Sequence, residues 1–400
     1  MLFRSPFASL LLLVSFFHHS SGVGAAQALT PLCRPSVTRP IVVASPAQRH
    51  EAGLKAEPPL TDTSSGFAWP DTPMGIIKTD SGYEFFGSDG GTHSRQTWQG
   101  EWVGNNKSGS VVTTVGTLDN PLGTGAPQDV SISPNPDPAV NPNHPSYTYL
   151  GGGPVYQVPE GMTGAGNLLL GYHAELPSNT LYAVHGLAAS WDNGLHWTDL
   201  GEVVRPNQSF APDLAPGYDE IGDGPLVLTP DRKYFYFYFP DWPAGTTTTT
   251  HVSVARVLAA SLLDAAFGSA HPHAVPFEKF YGSNWHLQPG IGGASTDLTP
   301  NSSSQEKGYL DIRYNSALQR HVMIISNDTT FYYLESIDLL AWTQPLPLGT
   351  FGPIAAYPTS VGLGDNPHIL GKSFYIYFTH LPADGSWQEG SLRRLTLTCP

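Results

Sequence analysis

Charge is what this 400-residue sequence has least of: Asp, Glu, Lys and Arg make up 13% of it, and the 19 Lys and Arg are outnumbered by 33 acids. Such a composition does not supply the solvated charged faces that a mainly helical protein needs. The net charge of −14 excludes the basic footprint that binds phosphates, and with it a nucleic-acid partner or an anionic membrane surface. Cysteine is almost absent. With two in the whole chain, Cys33 and Cys399, neither a disulfide-dense scaffold nor a cysteine-based zinc site can be built. Long apolar runs are missing too. The strongest, Leu10 to Phe17, is too short for the roughly 30 Å hydrocarbon core of a bilayer, so no membrane span is expected.

That run instead has the layout of a secretory signal. Arg4 gives a short positive region, Leu10 to Phe17 an apolar one, and Ala26-Gln27-Ala28 a small-residue cleavage site. Residues 1–28 therefore read as a signal peptide and the protein as secreted and extracellular. In an oxidising compartment Cys33 and Cys399 are expected to pair, joining the two ends of the mature chain. Four sequons, at Asn106, Asn207, Asn301 and Asn327, fit a glycosylated exterior. Residues 29–66, rich in Pro, Ala, Ser and Thr, read as a mostly irregular leader, and 67–400 as one domain.

What the chain has in abundance is glycine (42), proline (37) and aromatic residues, the materials of short strands and tight turns. One pattern recurs from Trp69 onward: a Gly/Asp-Pro lead-in, an apolar strand, a turn, and a strongly aromatic strand ending in a polar residue. The lead-ins are Asp71-Thr72-Pro73-Met74, Gly152-Gly153-Pro154-Val155, Asp223-Gly224-Pro225-Leu226 and Asp365-Asn366-Pro367-His368, with a degenerate one at Tyr309-Leu310-Asp311-Ile312. The aromatic strands are expected at 83–89, 167–175, 234–241, 321–328 and 374–380. Repetition every roughly 70 to 90 residues, about four strands per unit, predicts an all-β fold: a five-bladed β-propeller. Long loops are expected at 104–150 and 282–307.

Two segments, Ser190-Trp191-Asp192-Asn193-Gly194-Leu195-His196-Trp197 and Ser336-Ile337-Asp338-Leu339-Leu340-Ala341-Trp342, are similar to Asp-box turns. There an Asp caps backbone N–H groups while a Trp packs beneath, a structural role. Together with the lead-ins, they make residues 69–398 resemble the five-bladed glycoside hydrolases of the family-43, family-32 and family-130 type. The resemblance implies a base Asp at one strand start, a second Asp that tunes proton affinity, and a Glu acid on another blade. Asp71 and Asp223 match the aspartates, each with one residue inserted before Pro. The Glu-x-Pro of the acid has no clean match, and Glu175, Glu220 and Asp311 compete for its role. The family-32 WMNDPNG signature is missing, which counts against a fructosidase.

Asp71, Asp223 and Asp365 are expected at the starts of innermost strands, converging on one funnel. Carboxylates so placed repel, raise the proton affinity of one of their number, and so suit glycoside hydrolysis. The candidate catalytic residues are Asp223, Glu175, Asp71 and Asp311. His173 shares a strand face with Glu175 and is a substrate-binding candidate, as are Asp365 and, at the ends of other aromatic strands, Asp89 and Asp241. Arg313 lies on the Asp311 strand, and Trp285 and His286 in a loop where the indole could stack on a sugar. No cofactor is implied, although a carboxylate-lined channel could hold a calcium ion. The expected partner is an oligo- or polysaccharide, with the protein a monomer. Three alternatives remain open: a non-catalytic carbohydrate-binding propeller, a six-bladed sialidase-like enzyme using Arg95, Arg313 and Arg393, and a polysaccharide lyase using His173 or His286 with Tyr314.

Overall fold

The computed structural model describes residues 30–44, 72–88, 111–121, 128–130, 132–178, 181–211, 213, 218–246, 250–299, 308–383 and 390–400. The expectations for residues 1–28, Asp71, Asp89, Arg95, Asn106 and Asn301 lie outside these.

Five antiparallel meanders account for most of the described chain. The first comprises Gly75–Thr79, Gly82–Ser88, Val111–Gly116 and Gln128–Val130. The second comprises Tyr149–Gln157, Leu168–Leu176, Leu181–Ser190 and Trp197–Val204. The third comprises Leu226–Leu228, Tyr234–Thr246, His251–Leu258 and Glu278–Tyr281, extended by Asn284–Pro289. The fourth comprises Leu310–Asn315, Arg320–Ser326, Thr330–Ser336 and Leu346–Thr350. In the fifth, Ile354–Gly362, Ser373–Leu381 and Ser391–Thr398 come late in the chain, and Ser36–Val37 with Ile41–Ala44 complete the sheet from its beginning. The stretch expected to be irregular thus supplies edge strands to the last sheet. The expected loops at 104–150 and 282–307 contain strands as well.

The reason for the packing is visible in Tyr234–Thr246, which begins YFYFYF. Successive side chains of a strand point to opposite faces. Phe235, Phe237 and Phe239 pack with Leu169, Leu187 and Val203 of the second meander. Tyr236 and Tyr238 pack with Leu310, Ile312 and Met323 of the fourth. With both faces covered, the polar alternation of a half-exposed strand is lost and rings occupy both sides. The same sharing recurs around the molecule. Ile77 and Phe86 of the first meander cluster with Leu170 and Trp197 of the second. Ile324 and Phe331 of the fourth cluster with Phe374 and Phe378 of the fifth. Met74 and Phe85 of the first cluster with Tyr377 and Leu392 of the fifth.

The first strands approach one another closely. Thr72 donates to the Gly152 carbonyl at 2.7 Å, Met74 N–H donates to the Thr359 hydroxyl at 2.8 Å, and Ser360 N–H donates to Asp311 at 2.7 Å. A Cβ on Gly75 would stand 2.7 Å from the Val155 backbone nitrogen, so only glycine lets the first two meanders come together there.

Between the sheets' outer strands, Asp192 accepts the His196 N–H at 3.0 Å, while Trp197 is buried edge-on against Phe86. Asp338 likewise accepts the N–H groups of Leu340 and Ala341. Both aspartates hold turns. Asn207 is exposed, and the Asn327 side chain accepts from the Thr329 and Thr330 N–H groups.

Cys33 and Cys399 form a disulfide, both buried, across 366 residues of sequence. A fully buried carboxylate, Glu335 of the fourth meander, fastens the same corner. It accepts the backbone N–H groups of Leu32 and Cys33 at 2.9 and 2.8 Å and the Tyr333 hydroxyl at 2.9 Å. Removing the cross-link by Cys33→Ser is expected to cost roughly 2–4 kcal/mol of stability. Urea unfolding of the oxidised parent and the variant measures it, and equal midpoints would show that Glu335 and the strand pairing hold the terminus unaided.

Candidate active site

One additional strand, Tyr218–Ile221, builds the site. It pairs in parallel with Leu181–Ser190 of the second meander and antiparallel with Tyr234–Thr246 of the third, joining the two into a single sheet. Its register puts Glu220 beside Ala183, and Ala183 is also opposite Glu175. Directly paired residues share a sheet face. The row across that face is therefore Tyr149, Glu175, Ala183, Glu220 and Trp242. Two strand spacings separate Glu175 from Glu220, about 10 Å between their Cα atoms, and side chains can close that gap.

One step along, on the same face, lie His173 and His185, which are paired across the strands. His173 is buried and sits 3.7 Å from Glu175. Burial favours its neutral form, but contact with Glu175 and the charges of Asp223 and Glu220 outweigh it and raise its pKa to about 10. These carboxylates favour its protonated form. His185 is completely buried, stacked on Phe237 at 3.9 Å, with its Nδ1 4.0 Å from Asp223. Burial and the neighbouring His173 charge push its pKa well down, so it is neutral. Neither of its nitrogens has a hydrogen-bond partner among the described residues. Gly171 makes room for this ring, since a Cβ there would lie 2.7 Å from Nε2.

Asp223 closes the group from the third meander's lead-in. A Cβ on Gly153 would lie 3.5 Å from its Oδ1 and 3.7 Å from Thr72, ordinary contact distances that set the second meander's lead-in beside both. Three carboxylates, Glu175, Glu220 and Asp223, thus lie around the buried His173–His185 pair at the end where the first strands begin. Such an arrangement keeps some acids ionised while leaving room for a protonated partner, the requirement of acid–base catalysis.

Of the residues expected from sequence, Asp223, Glu175 and His173 are brought together here. Asp71 and Asp89 lie outside the described residues, and the other described candidates lie elsewhere. Asp365 does not start a first strand: it lies in the turn after Ile354–Gly362, exposed, and pairs with Lys78 at 2.8 Å. That turn borders a cavity of about 640 Å³ at the opposite end of the first strands. The Asp-x-Pro pattern there marks a turn, as it does in many loops. Asp311 is fully buried, held by the Ser360 N–H and lying 3.3 Å from Arg313, and burial raises its pKa. Arg313 in turn donates to His368 at 3.1 Å. This group joins the fourth and fifth meanders.

Asp241 shares its face with Ile221, opposite to Glu220, and accepts from Ser295 at 2.5 Å. Beside it, fully buried Lys279 donates to the Arg205 and Gly293 carbonyls; burial lowers the lysine to about 8, while burial and Asp241 raise Asp219 to about 7. Trp285 and His286 lie in the edge strand Asn284–Pro289, not in a loop. Trp285 stacks on Arg256 at 4.1 Å, and His286 pairs with Glu278 at 2.5 Å. Arg393 lies on Ser391–Thr398 and donates to Ser391. Among the described residues no His, Cys, Asp and Glu group is arranged to hold a metal ion.

The His173 charge has a testable consequence for stability. Because folding raises its pKa above 6.5, the protonated ring stabilises the fold fully below that value, and the contribution is lost as pH rises through about 10. The gap in urea midpoint between the parent and His173→Gln is therefore expected to be widest at about pH 6 and to shrink by about pH 10.5. A gap that stays constant across this window would contradict a charged His173.

No protein-family profile matches the chain, and no curated protein matches it. Among solved structures, the chain is similar to the catalytic domain of an α-L-arabinofuranosidase from Coprinopsis cinerea, with 9% identity, 92% of this chain and 97% of that one covered, and a TM-score of 0.49. It is similar to an exo-β-1,3-galactanase from Phanerochaete chrysosporium, with 12% identity, 82% and 60% covered, and a TM-score of 0.42. It is also similar to a fructofuranosidase from Schwanniomyces occidentalis, with 12% identity, 57% of this chain covered and a TM-score of 0.39; there it spans 40% of the other protein's length.

Proposed function

We propose that the five meanders are the blades of a five-bladed β-propeller and that the protein is a secreted glycoside hydrolase acting on an oligo- or polysaccharide. The hydrophobic clusters shared by successive meanders, and by the fifth with the first, support the ring. The apolar run after Arg4 and the Cys33–Cys399 bridge support secretion. The convergence of Glu175, Glu220 and Asp223 on buried His173 carries the assignment of chemistry.

In this reading, the His173 charge favours the ionised form of Asp223, poised as base or nucleophile at the sugar's anomeric carbon. Once substrate has bound, one of Glu175 and Glu220 takes up a proton and passes it to the leaving glycosidic oxygen, and water completes the cleavage. His185, neutral and packed against Phe237, backs Asp223 at 4.0 Å. A second reading, a carbohydrate-binding propeller without catalysis, is favoured by one observation: the second lead-in, Gly152-Gly153-Pro154, carries no acid.

A polysaccharide panel assayed by reducing ends separates the two. Asp223→Asn and Glu175→Gln are each expected to lower kcat about 10²–10⁴-fold on the hydrolysed substrate. Parent rates in both variants would remove these residues from the chemistry. Binding with no release of reducing ends by the parent protein would leave the second reading.

A further inference from the structure

Three aromatic rings continue the acid row onto the other side of the site. Trp242 is in register with Glu220 and shares its face. Its ring lies 5.9 Å from that of Tyr309, which immediately precedes the first strand of the fourth meander. The Tyr309 ring lies 4.2 Å from that of Tyr357, in the first strand of the fifth. Successive planes are inclined by 52° and 47°, so the rings form a curved wall and not a flat stack.

The three rings are also partly exposed. The large tyrosines of the interior, such as Tyr172, Tyr182, Tyr238 and Tyr333, are fully buried, whereas Trp242, Tyr309 and Tyr357 are each half-buried. The backbone at one of them is also unusual. Tyr357 has φ 57°, in the left-handed region that favours glycine, and sits where the pairing register of its strand shifts between Ala356 and Thr359. A bulky residue held there in a strained conformation is characteristic of functional surfaces. Gly222, two residues after Glu220, leaves the space that the Trp242 ring fills, since a Cβ there would lie 2.6 Å from it.

We propose that Trp242, Tyr309 and Tyr357 form a sugar-stacking wall that selects pyranose over furanose substrates. The proposal rests on the carbohydrate reading of the acid cluster and assigns its substrate class. A pyranose chair with mainly equatorial hydroxyls has an extended C–H face that covers an aromatic ring, while its hydroxyls reach sideways. Glu220, paired with Trp242, is placed to accept from those hydroxyls. A puckered five-membered ring offers a smaller apolar face and so covers the wall less well.

The test measures binding apart from turnover. Isothermal titration of the Asp223→Asn/Glu175→Gln double variant with xylotetraose, cellotetraose, mannotetraose and, as furanose probe, an α-1,5-linked arabinotetraose reads affinity directly. At least one pyranose probe is expected to bind more tightly than the arabinotetraose. Adding Tyr309→Ala, or Tyr357→Gly (which suits the positive φ), is expected to weaken that binding about tenfold or more, equivalent to the loss of one stacked ring, and Tyr309→Phe to recover most of it over Tyr309→Ala. Absence of binding by every pyranose probe, tighter binding of the arabinotetraose, or affinities indifferent to Tyr309 and Tyr357 would each overturn the wall. Ring-dependent pyranose binding in a protein whose parent form hydrolyses nothing would sustain the wall and remove the hydrolase reading. Hydrolysis by the parent with KM unchanged by Tyr309→Ala would do the reverse.

Discussion

Burial of both faces of the sheets is the constraint from which the remaining architecture follows. A strand such as Tyr234–Thr246, with phenylalanines on one side and tyrosines on the other, is stable only when each side meets a neighbouring sheet. A linear row of such sheets would leave two apolar faces in water. Packing the fifth meander against the first, through Met74, Phe85, Tyr377 and Leu392, removes both. The strands contributed by residues 36–44 then cover the open edge of the last sheet, where unpaired backbone groups would otherwise face outward.

The candidate site arises from a departure from this regular plan. Tyr218–Ile221 adds a strand between the second and third meanders, and its alternation sends consecutive acids in opposite directions. Asp219 goes to the buried lysine cluster, and Glu220 to the face with Glu175 and His173. Two neighbouring carboxylates thereby acquire different surroundings: Asp219 faces Asp241 and the buried Lys279, and Glu220 the side of His173. Such separation of environments lets similar groups take different protonation states at one pH.

Much of the plan is legible in the sequence. The five aromatic runs fall on the second strands of the five meanders, because two-sided burial leaves a strong and repeated local signature. Cys33 and Cys399 pair as expected. Asp223, Glu175 and His173 are legible because polar residues at the ends of apolar strands are conspicuous. Asp365 misleads because a Pro-containing turn looks the same before a strand as after one. Asp311 misleads because an acid serving an internal Arg313 is indistinguishable in sequence from one facing a ligand. His185 escapes the lead-in pattern, although a histidine amid the apolar run of Leu181–Ser190 is a signal of its own. Tyr309 and Tyr357 do not stand out, since what marks them is their approach to Trp242 and, at Tyr357, the backbone angle, and a chain full of tyrosine shows neither in its sequence.

The fastening at Cys33, Glu335 and Cys399 also bears on how the chain is made. Residues 36–44 are synthesised well ahead of their sheet partners in Ser391–Thr398. During vectorial synthesis the early segment has no strand to join, and Cys33 no sulfur to meet, until the segment up to Cys399 has emerged. Completion of the last sheet therefore waits on this late segment. In the interval, a segment from a second nascent chain can take the same place, so crowding of unfinished copies favours exchange between molecules over closure within one.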